Sequence, residues 1–242
     1  AARRAAREAT PDAPITDLLD IVVSTPGLPD KEVMDQCVTF VVAGHETTSQ
    51  ALCWTLYLLD KHKEKGWWQR LHDEVVGVCG AEAAPTYDQV TKQMPTVLMV
   101  LNESLRLFPP VPGIAREAAR DVTLKGTDRE ITIPAGCGIQ LPIVRMHFSG
   151  KLWDAPDEFR PERFAAGASH SVKHPMAFVP FSAGRRNCIG AQFALLESRV
   201  ILARLAQRVR LEMLPTYRHF PARRITLRPR YGMPMKVVPA SS

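Results

Sequence analysis

The stretch Phe181-Ser182-Ala183-Gly184-Arg185-Arg186-Asn187-Cys188-Ile189-Gly190 decides how the rest of this 242-residue chain is interpreted. It lies directly before an apolar pattern with helical spacing, which predicts a helix from about residue 190 to 210. A cysteine at a helix N-terminus beside arginines is favoured as a thiolate, because the helix dipole and the guanidinium charges stabilise the anion. The flanking glycines permit sharp turns and close approach of a large planar ligand. These are the requirements of an axial thiolate ligand for haem iron, whereas the alternative is a buried cysteine in a glycine turn.

A second informative stretch lies in a long predicted helix. Pro29, Asp30 and Glu32 suit a helix start, and the apolar pattern then runs from residue 33 to about 60. Its middle, Ala43-Gly44-His45-Glu46-Thr47-Thr48, is polar. Polar residues inside a buried helix need partners or a cavity that uses them. We therefore expect either a site or a buried hydrogen-bond network there.

The remaining pattern predicts a mainly α fold with small β-sheets. Further helices are predicted at about 64–78, 87–93 and 96–107, the last stopped by Pro109-Pro110. Short strands are predicted at 122–124, 130–133 and 138–141, and residues 148–182 have little periodicity. The end, 225–238, alternates like a β-hairpin with its turn near Tyr231-Gly232. We expect one partial domain over 1–242, with 1–14 frayed.

Composition limits the classes of function. The net charge of +6, with 45% hydrophobic residues, is ordinary for a globular domain and excludes collagen-like and disordered classes. No apolar run is long enough to span a bilayer. Ten basic residues follow from Arg199 onward against the single acid Glu212. This tail is either a solvated face or a docking face for an acidic partner, and it lacks the interleaved aromatics of a nucleic-acid site. The odd number of cysteines, five, favours a reduced, cytosol-facing protein.

A third pattern concerns buried charge. Glu103 and Arg106 are three positions apart on a predicted helix in apolar surroundings, so the two side chains share a face. Alone, such a pair is common and contributes little.

Together these stretches resemble the cytochrome P-450 family. Residues 181–190 fit its F-x-x-G-x-R-x-C-x-G signature at every fixed position, and residues 43–48 look like its A-G-x-[DE]-T-[TS] element. Glu103 and Arg106 match its E-x-x-R, and Pro161-Glu162-Arg163-Phe164 matches its P-E-R-F intact. The match runs from about residue 28 to 238 and corresponds to the C-terminal half of a member. It implies the C-terminal portion of the P-450 fold, from the long central helix through the cysteine-ligand loop to a terminal hairpin.

The resemblance also implies roles for individual residues. Cys188 would ligate the iron of haem b, and Glu46 and Thr47 would organise water and deliver protons to dioxygen. Arg106, Glu103 and Arg163 would form a structural triad that holds the cysteine loop. The implied haem-contacting residues are Ala43, Gly44, Arg116, His147, Phe181, Gly184, Arg186 and Gly190. In many members an arginine follows the histidine, whereas Phe148 follows here. The implied substrate-facing residues are Val41, Val42, Val111, Ile114 and Ile225.

The implied activity is a haem-thiolate monooxygenase that inserts one oxygen atom of dioxygen into a small hydrophobic substrate. Electron transfer would come from an NAD(P)H-dependent reductase or a ferredoxin, received by basic residues near the loop such as Arg185, Arg199 and Arg204. Two alternatives stay open: a thiolate-haem isomerase or peroxygenase, and a truncated, non-catalytic fragment that needs its N-terminal half. The start has no initiator Met and no apolar leader, so the chain resembles an excised fragment. We expect no nucleic-acid partner, and a membrane contact, at the endoplasmic reticulum, only through an anchor absent from this chain.

Overall fold

The computed structural model describes residues 2–10, 12–126, 129–168 and 172–240. Within them the chain is mainly helical, as the sequence predicts. The α-helices are α1 (Ala2–Ala9), α2 (Leu18–Ser24), α3 (Asp30–Lys61), α4 (Trp67–Cys79), α5 (Pro95–Leu107), α6 (Ile143–His147) and α7 (Ala191–Arg208). Short 3₁₀ turns cover Lys63–Lys65, Pro161–Phe164 and Gly184–Arg186, and a π turn covers Gln89–Gln93. No helix of the described residues is long and apolar enough to cross a membrane.

The strands are short, and each is hydrogen-bonded to one antiparallel neighbour within the described residues. They are β1 (Ile114–Glu117), β2 (Val122–Lys125), β3 (Glu130–Ile133), β4 (Gly138–Leu141), β5 (Val209–Met213), β6 (Pro221–Arg223), β7 (Leu227–Pro229) and β8 (Met235–Pro239). The pairs are β1 with β4, β2 with β3, β5 with β8, and β6 with β7. Three of these strands are the ones predicted between residues 122 and 141, whereas β1 and helix α6 escaped prediction.

The predicted terminal hairpin over 225–238 is wrong in its pairing. Strand β7 pairs with the preceding strand β6, with Arg223 opposite Leu227. Strand β8 pairs with β5, which is distant in sequence, with Val209 opposite Pro239. The turn at Gly232 exists, and its N–H donates to the Pro229 carbonyl at 3.2 Å. Period-2 alternation therefore identified strands but did not identify their partners.

Residues 1–46 form one compact unit. The expected frayed start is instead helical over Ala2–Ala9, while Ala1 and Pro11 lie outside the described residues. Arg3 explains this order: its guanidinium binds the carboxylates of Asp17 and Asp20, the latter at 2.7 Å. The backbone N–H and hydroxyl of Thr16 also donate to Asp20 and, with Arg3, lower the pKa of that carboxyl to about 2.

Residues 47–242 form the second compact unit, which contains the main core. Aromatic and branched side chains from α3, α4, α5 and α7 pack together there. Its largest members include Trp54, Leu58, Trp67, Leu71, Val97, Val100, Phe159 and Leu202. Trp54 stacks on Phe108 with ring centroids 4.4 Å apart. Helix α7, which contributes to this core, directly follows the cysteine loop at residues 181–190.

Candidate active site

The cysteine loop, residues 181–190, is held in shape by its own backbone hydrogen bonds. The Cys188 N–H donates to the Phe181 carbonyl at 2.9 Å, which closes the loop across the 3₁₀ turn at Gly184–Arg186. Helix α7 begins at Ala191, and the Ala194 N–H donates to the Gly190 carbonyl at 2.8 Å. Cys188 itself is exposed. The structure therefore presents this thiol just before the N-terminus of α7.

The glycines around Cys188 keep its surroundings open. Gly184 has φ +77°, a left-handed conformation that disfavours any residue with a Cβ, and a Cβ added there would meet nothing within 4 Å. At Gly190, an added Cβ would lie 3.9 Å from the Cys188 sulfur. Nearby, Ile189 is 90% exposed and Phe193 is 69% exposed. A bare apolar surface beside an accessible thiol fits a large, flat apolar ligand.

Phe181 anchors the loop to the helices. Its half-buried ring packs in a small cluster formed by side chains of α3, α5, α7 and the preceding loop. The other members are Ala51, Leu101, Leu105, Phe178 and Leu195. Phe181 thus joins the cysteine loop to three helices, which is a packing role as much as a ligand-facing one.

The predicted cations differ in how free they are. Arg185 and Arg186 are exposed, and no carboxylate or carbonyl of the described residues binds either guanidinium. Arg116 lies half-buried on β1, and its Nη1 donates to the Ala115 carbonyl at 2.8 Å. Each of the three therefore keeps guanidinium N–H groups available for the carboxylates of an incoming ligand.

The predicted triad is assembled in the structure. The guanidinium of Arg106 donates two hydrogen bonds to the carboxylate of Glu103, at 2.7 and 2.8 Å. Arg163 Nε donates a third to the same carboxylate at 3.1 Å. The Glu103 and Arg106 side chains are fully buried, and Arg163 is 10% exposed. Arg106 also donates to three backbone carbonyls of the loop region, those of His147, Pro156 and Glu158. Burial with every charge partnered makes this network costly to break.

His147, predicted to contact haem, is hydrogen-bonded within the protein. It is fully buried: its Nδ1–H donates to the Arg106 carbonyl at 3.0 Å, and its Nε2 accepts the Val179 N–H at 3.1 Å. Burial lowers the pKa of His147 to about 4, so the ring is neutral at pH 7. With both ring nitrogens engaged and no cationic charge, His147 is unsuited to bind a haem carboxylate.

His147 instead connects the triad to the cysteine loop, a connection that the sequence analysis missed. Val179, which it binds, accepts the Ser182 N–H at 3.0 Å, and Phe181 accepts the Cys188 N–H. A continuous run of hydrogen bonds therefore leads from Arg106 through His147 to the segment that positions Cys188. The triad's predicted role of holding this loop has a physical route.

The polar part of α3 lies in regular helix. Glu46 and Thr47 are half-buried, whereas Ala43 and Gly44 are exposed, and a Cβ added at Gly44 would meet nothing within 4 Å. Thr48 is 6% exposed, and its buried hydroxyl has no hydrogen-bond partner among the described residues. A buried hydroxyl without a partner is a place for a water molecule or a ligand group.

The predicted substrate-facing residues are apolar and only partly covered. Val41, Val42 and Ile225 are exposed, and Val111 and Ile114 are half-buried. The structure brings two of their segments together, because the Leu227 N–H donates to the Pro110 carbonyl at 2.8 Å. The β6–β7 hairpin is thereby held beside the segment that begins at residue 110.

Two of the three arginines predicted to receive a redox partner have structural contacts. Arg199 donates to the Val90 and Thr91 carbonyls, and Arg204 donates to the Glu82 and Ala83 carbonyls. Arg185 alone of the three makes no such contact within the described residues. Part of the basic tail therefore serves to hold the chain together.

Comparison with known proteins settles the family. The family model described as Cytochrome P-450 matches residues 3–230. The chain belongs to the cytochrome P-450 family. It is 39% identical over 220 residues to cytochrome P-450 734A1 of Arabidopsis thaliana, which covers 90% of this chain and 41% of that protein. It is 40% identical over 206 residues to the echinocystic acid 23-monooxygenase of Saponaria officinalis, covering 85% of this chain and 38% of that protein.

A solved P-450 agrees in fold. The crystal structure of the cytochrome P-450DA heme domain matches with a TM-score of 0.78 and 32% identity, covering 88% of this chain and 45% of that one. The fold is therefore that of part of a P-450 heme domain, and the chain spans about two fifths of the length of the curated relatives named above.

Proposed function

We propose that this chain carries the haem-thiolate centre of a P-450 monooxygenase, with Cys188 as the residue that would bind the iron. The observation that supports this most is the exposed Cys188, fixed by its N–H bond to Phe181 at the start of α7. Among the described residues no group of three or more His, Cys, Asp or Glu side chains could hold a bare metal ion. A single thiolate on an open apolar face suits a metal that arrives already held in a flat macrocycle.

The surroundings of Cys188 fit such a group. The open space at Gly184 and Gly190 admits a planar ring, and the unpaired guanidinium of Arg186, with Arg116, suits two carboxylate side arms. When bound, the haem would supply the redox chemistry that activates dioxygen. The protein's part would be to ligate the iron, neutralise the side arms and keep the thiolate in position.

Proton handling is assigned to helix α3. We propose that Glu46 and Thr47 organise water and deliver protons. The side chains of Glu46 and Thr47 are half-buried, so both remain within reach of solvent. No contact among the described residues favours the alternative of a thiolate-haem isomerase or peroxygenase.

The substrate is proposed to be a small apolar organic molecule, because the predicted substrate-facing residues of the second unit, Val111, Ile114 and Ile225, are apolar. Two relatives are named for organic substrates: the echinocystic acid 23-monooxygenase and a cytokinin hydroxylase. Electrons would come from an NAD(P)H-dependent reductase or a ferredoxin, with Arg185 as one contact. A cytosol-facing location stays a prediction.

A second candidate is a fragment that needs the rest of a full-length member. It is favoured by the exposed apolar side chains Met34, Val38, Ile189 and Phe193, together with the partial coverage of the relatives. Uncovered apolar surface of this kind normally lies against protein.

One experiment separates the two. The haem-loaded chain is supplied with NADPH, a flavoprotein reductase, an apolar probe substrate and ¹⁸O-labelled dioxygen, and the product is analysed by mass spectrometry. A monooxygenase yields product with one labelled oxygen, and Thr47→Val reduces the yield relative to reductant consumed. Product without label contradicts the proposal, and haem uptake without product supports the fragment.

A further inference from the structure

Two adjacent arginines lie at the tip of the β6–β7 hairpin. Arg223 ends β6, and Arg224 begins the tight loop, where its N–H donates to the Thr226 carbonyl at 3.1 Å. Both side chains are exposed, and no acid of the described residues pairs with either. Ile225, between them and β7, is 86% exposed. The tip thus combines two free guanidinium groups with a protruding apolar side chain.

The position of this tip is fixed from two sides. Leu227 donates its N–H to the Pro110 carbonyl, and its own carbonyl accepts the Trp54 indole N–H, each at 2.8 Å. Trp54 is completely buried in the main core. The hairpin is therefore anchored at Leu227, and it is held beside the segment that continues into Val111 and Ile114.

The charge of this tip is at odds with a purely apolar substrate. If Val111, Ile114 and Ile225 face the substrate, a hydrocarbon binding there would displace water from the neighbouring guanidinium groups. It would supply no hydrogen bonds to replace those of the displaced water. A carboxylate at the same end of the ligand would replace that water with charge-assisted hydrogen bonds. Arginine suits this task better than lysine, because its planar fork matches both carboxylate oxygens.

We propose that Arg223 and Arg224 are the counter-charge for the carboxylate of an apolar organic acid, which is the substrate class of this site. The assignment rests on the proposed function, since it takes the hairpin tip as substrate-facing. Ile225, Val111 and Ile114 contact the apolar skeleton, and the guanidinium groups fix the acidic end.

The same hairpin offers a matched control. Arg228 lies opposite Ala222, whereas Arg223 lies opposite Leu227. Because neighbouring residues on a strand alternate between faces, Arg228 lies on the other face of the hairpin from Arg223. Arg228→Gln therefore removes the same charge from the same hairpin, on the face opposite Arg223.

The test measures binding of dodecanoic acid and its methyl ester to the haem-loaded chain by titration calorimetry. The acid is expected to bind about tenfold more tightly than the ester, the scale of one hydrogen bond to a charged group. Arg223→Gln or Arg224→Gln should remove most of that preference and leave ester binding unchanged. Arg224→Lys should retain part of it, and Arg228→Gln all of it. Circular dichroism checks that each variant is folded.

Several results would overturn the assignment: equal affinity for acid and ester, binding of neither, or the same loss from Arg228→Gln as from Arg223→Gln, which would indicate general charge attraction. The carbon monoxide spectrum of the reduced chain is recorded in parallel. A thiolate-type spectrum without acid preference rejects this inference and leaves the proposed function standing. An absent thiolate-type spectrum rejects the proposed function, and the inference with it.

Discussion

Replacing Glu103 with glutamine tests how strongly the buried triad stabilises the chain. Glu103 accepts four hydrogen bonds, three from the guanidinium groups of Arg106 and Arg163 and one from the Arg160 N–H. The Glu103→Gln variant keeps the shape but leaves the fully buried Arg106 without a counter-charge. Removing one member of a buried ion pair costs about 3–5 kcal/mol, a large part of the ~5–15 kcal/mol of a typical domain.

The assay is equilibrium unfolding in urea, followed by circular dichroism. With a urea dependence of about 3 kcal/mol per molar, the midpoint should fall by more than about 1 M. Glu162→Gln is the matched control, because Glu162 pairs with Arg70 at 3.2 Å while both side chains are more than half exposed. That pair contributes about 0–1 kcal/mol. If Glu103→Gln lowered stability by no more than Glu162→Gln, the triad would not hold this region and the reasoning would be refuted.

Three further predictions concern the surroundings of the site. Burial lowers the pKa of His147 to about 4 from 6.5, so the unfolded chain takes up the proton first as the pH falls. Stability is therefore lost between about pH 6.5 and 4, and His147→Gln should flatten the urea midpoint across that range; an unchanged slope would contradict this. Gly184→Ala forces a Cβ onto φ +77° and should cost about 1 kcal/mol in thermal unfolding. Gly138→Ala, with open space and no left-handed φ, should cost little, and equal costs would argue against backbone strain. Trp54→Phe keeps a stacking ring but removes the hydrogen bond to the Leu227 carbonyl, so unfolding should become easier by about 1–2 kcal/mol, with no change expected only if that bond is absent in solution.

Local patterns in the sequence carried most of the fold. The 3.6-residue period located α3, α4, α5 and α7 to within a few residues, because each buries one apolar stripe. The E-x-x-R spacing placed Glu103 and Arg106 on one face, and the family resemblance supplied Arg163 as the third member. Those are properties of a helix or of a recognised motif, and neither depends on knowing the tertiary structure.

What failed depended on partners far along the chain. The two ring nitrogens of His147 are hydrogen-bonded to the backbones of Arg106 and Val179, and no local pattern in the sequence connects these residues to His147. Likewise, β8 alternates as a strand whether it pairs with β7 or with β5, so its partner could not be read from the pattern. Arg199 resembled a surface cation until its contacts with the Val90 and Thr91 carbonyls were seen.

The central claim is that Cys188 is a thiolate ligand of haem iron, and the carbon monoxide difference spectrum of the reduced, haem-loaded chain tests it most directly. We expect a strongly red-shifted Soret band, because a thiolate ligand would push electron density onto the iron. Cys188→Ser should abolish the shift, whereas Cys137→Ser, at a half-buried cysteine between β3 and β4, should leave it intact. An unshifted band in the unmodified chain, or a shift that survives Cys188→Ser, would contradict the account.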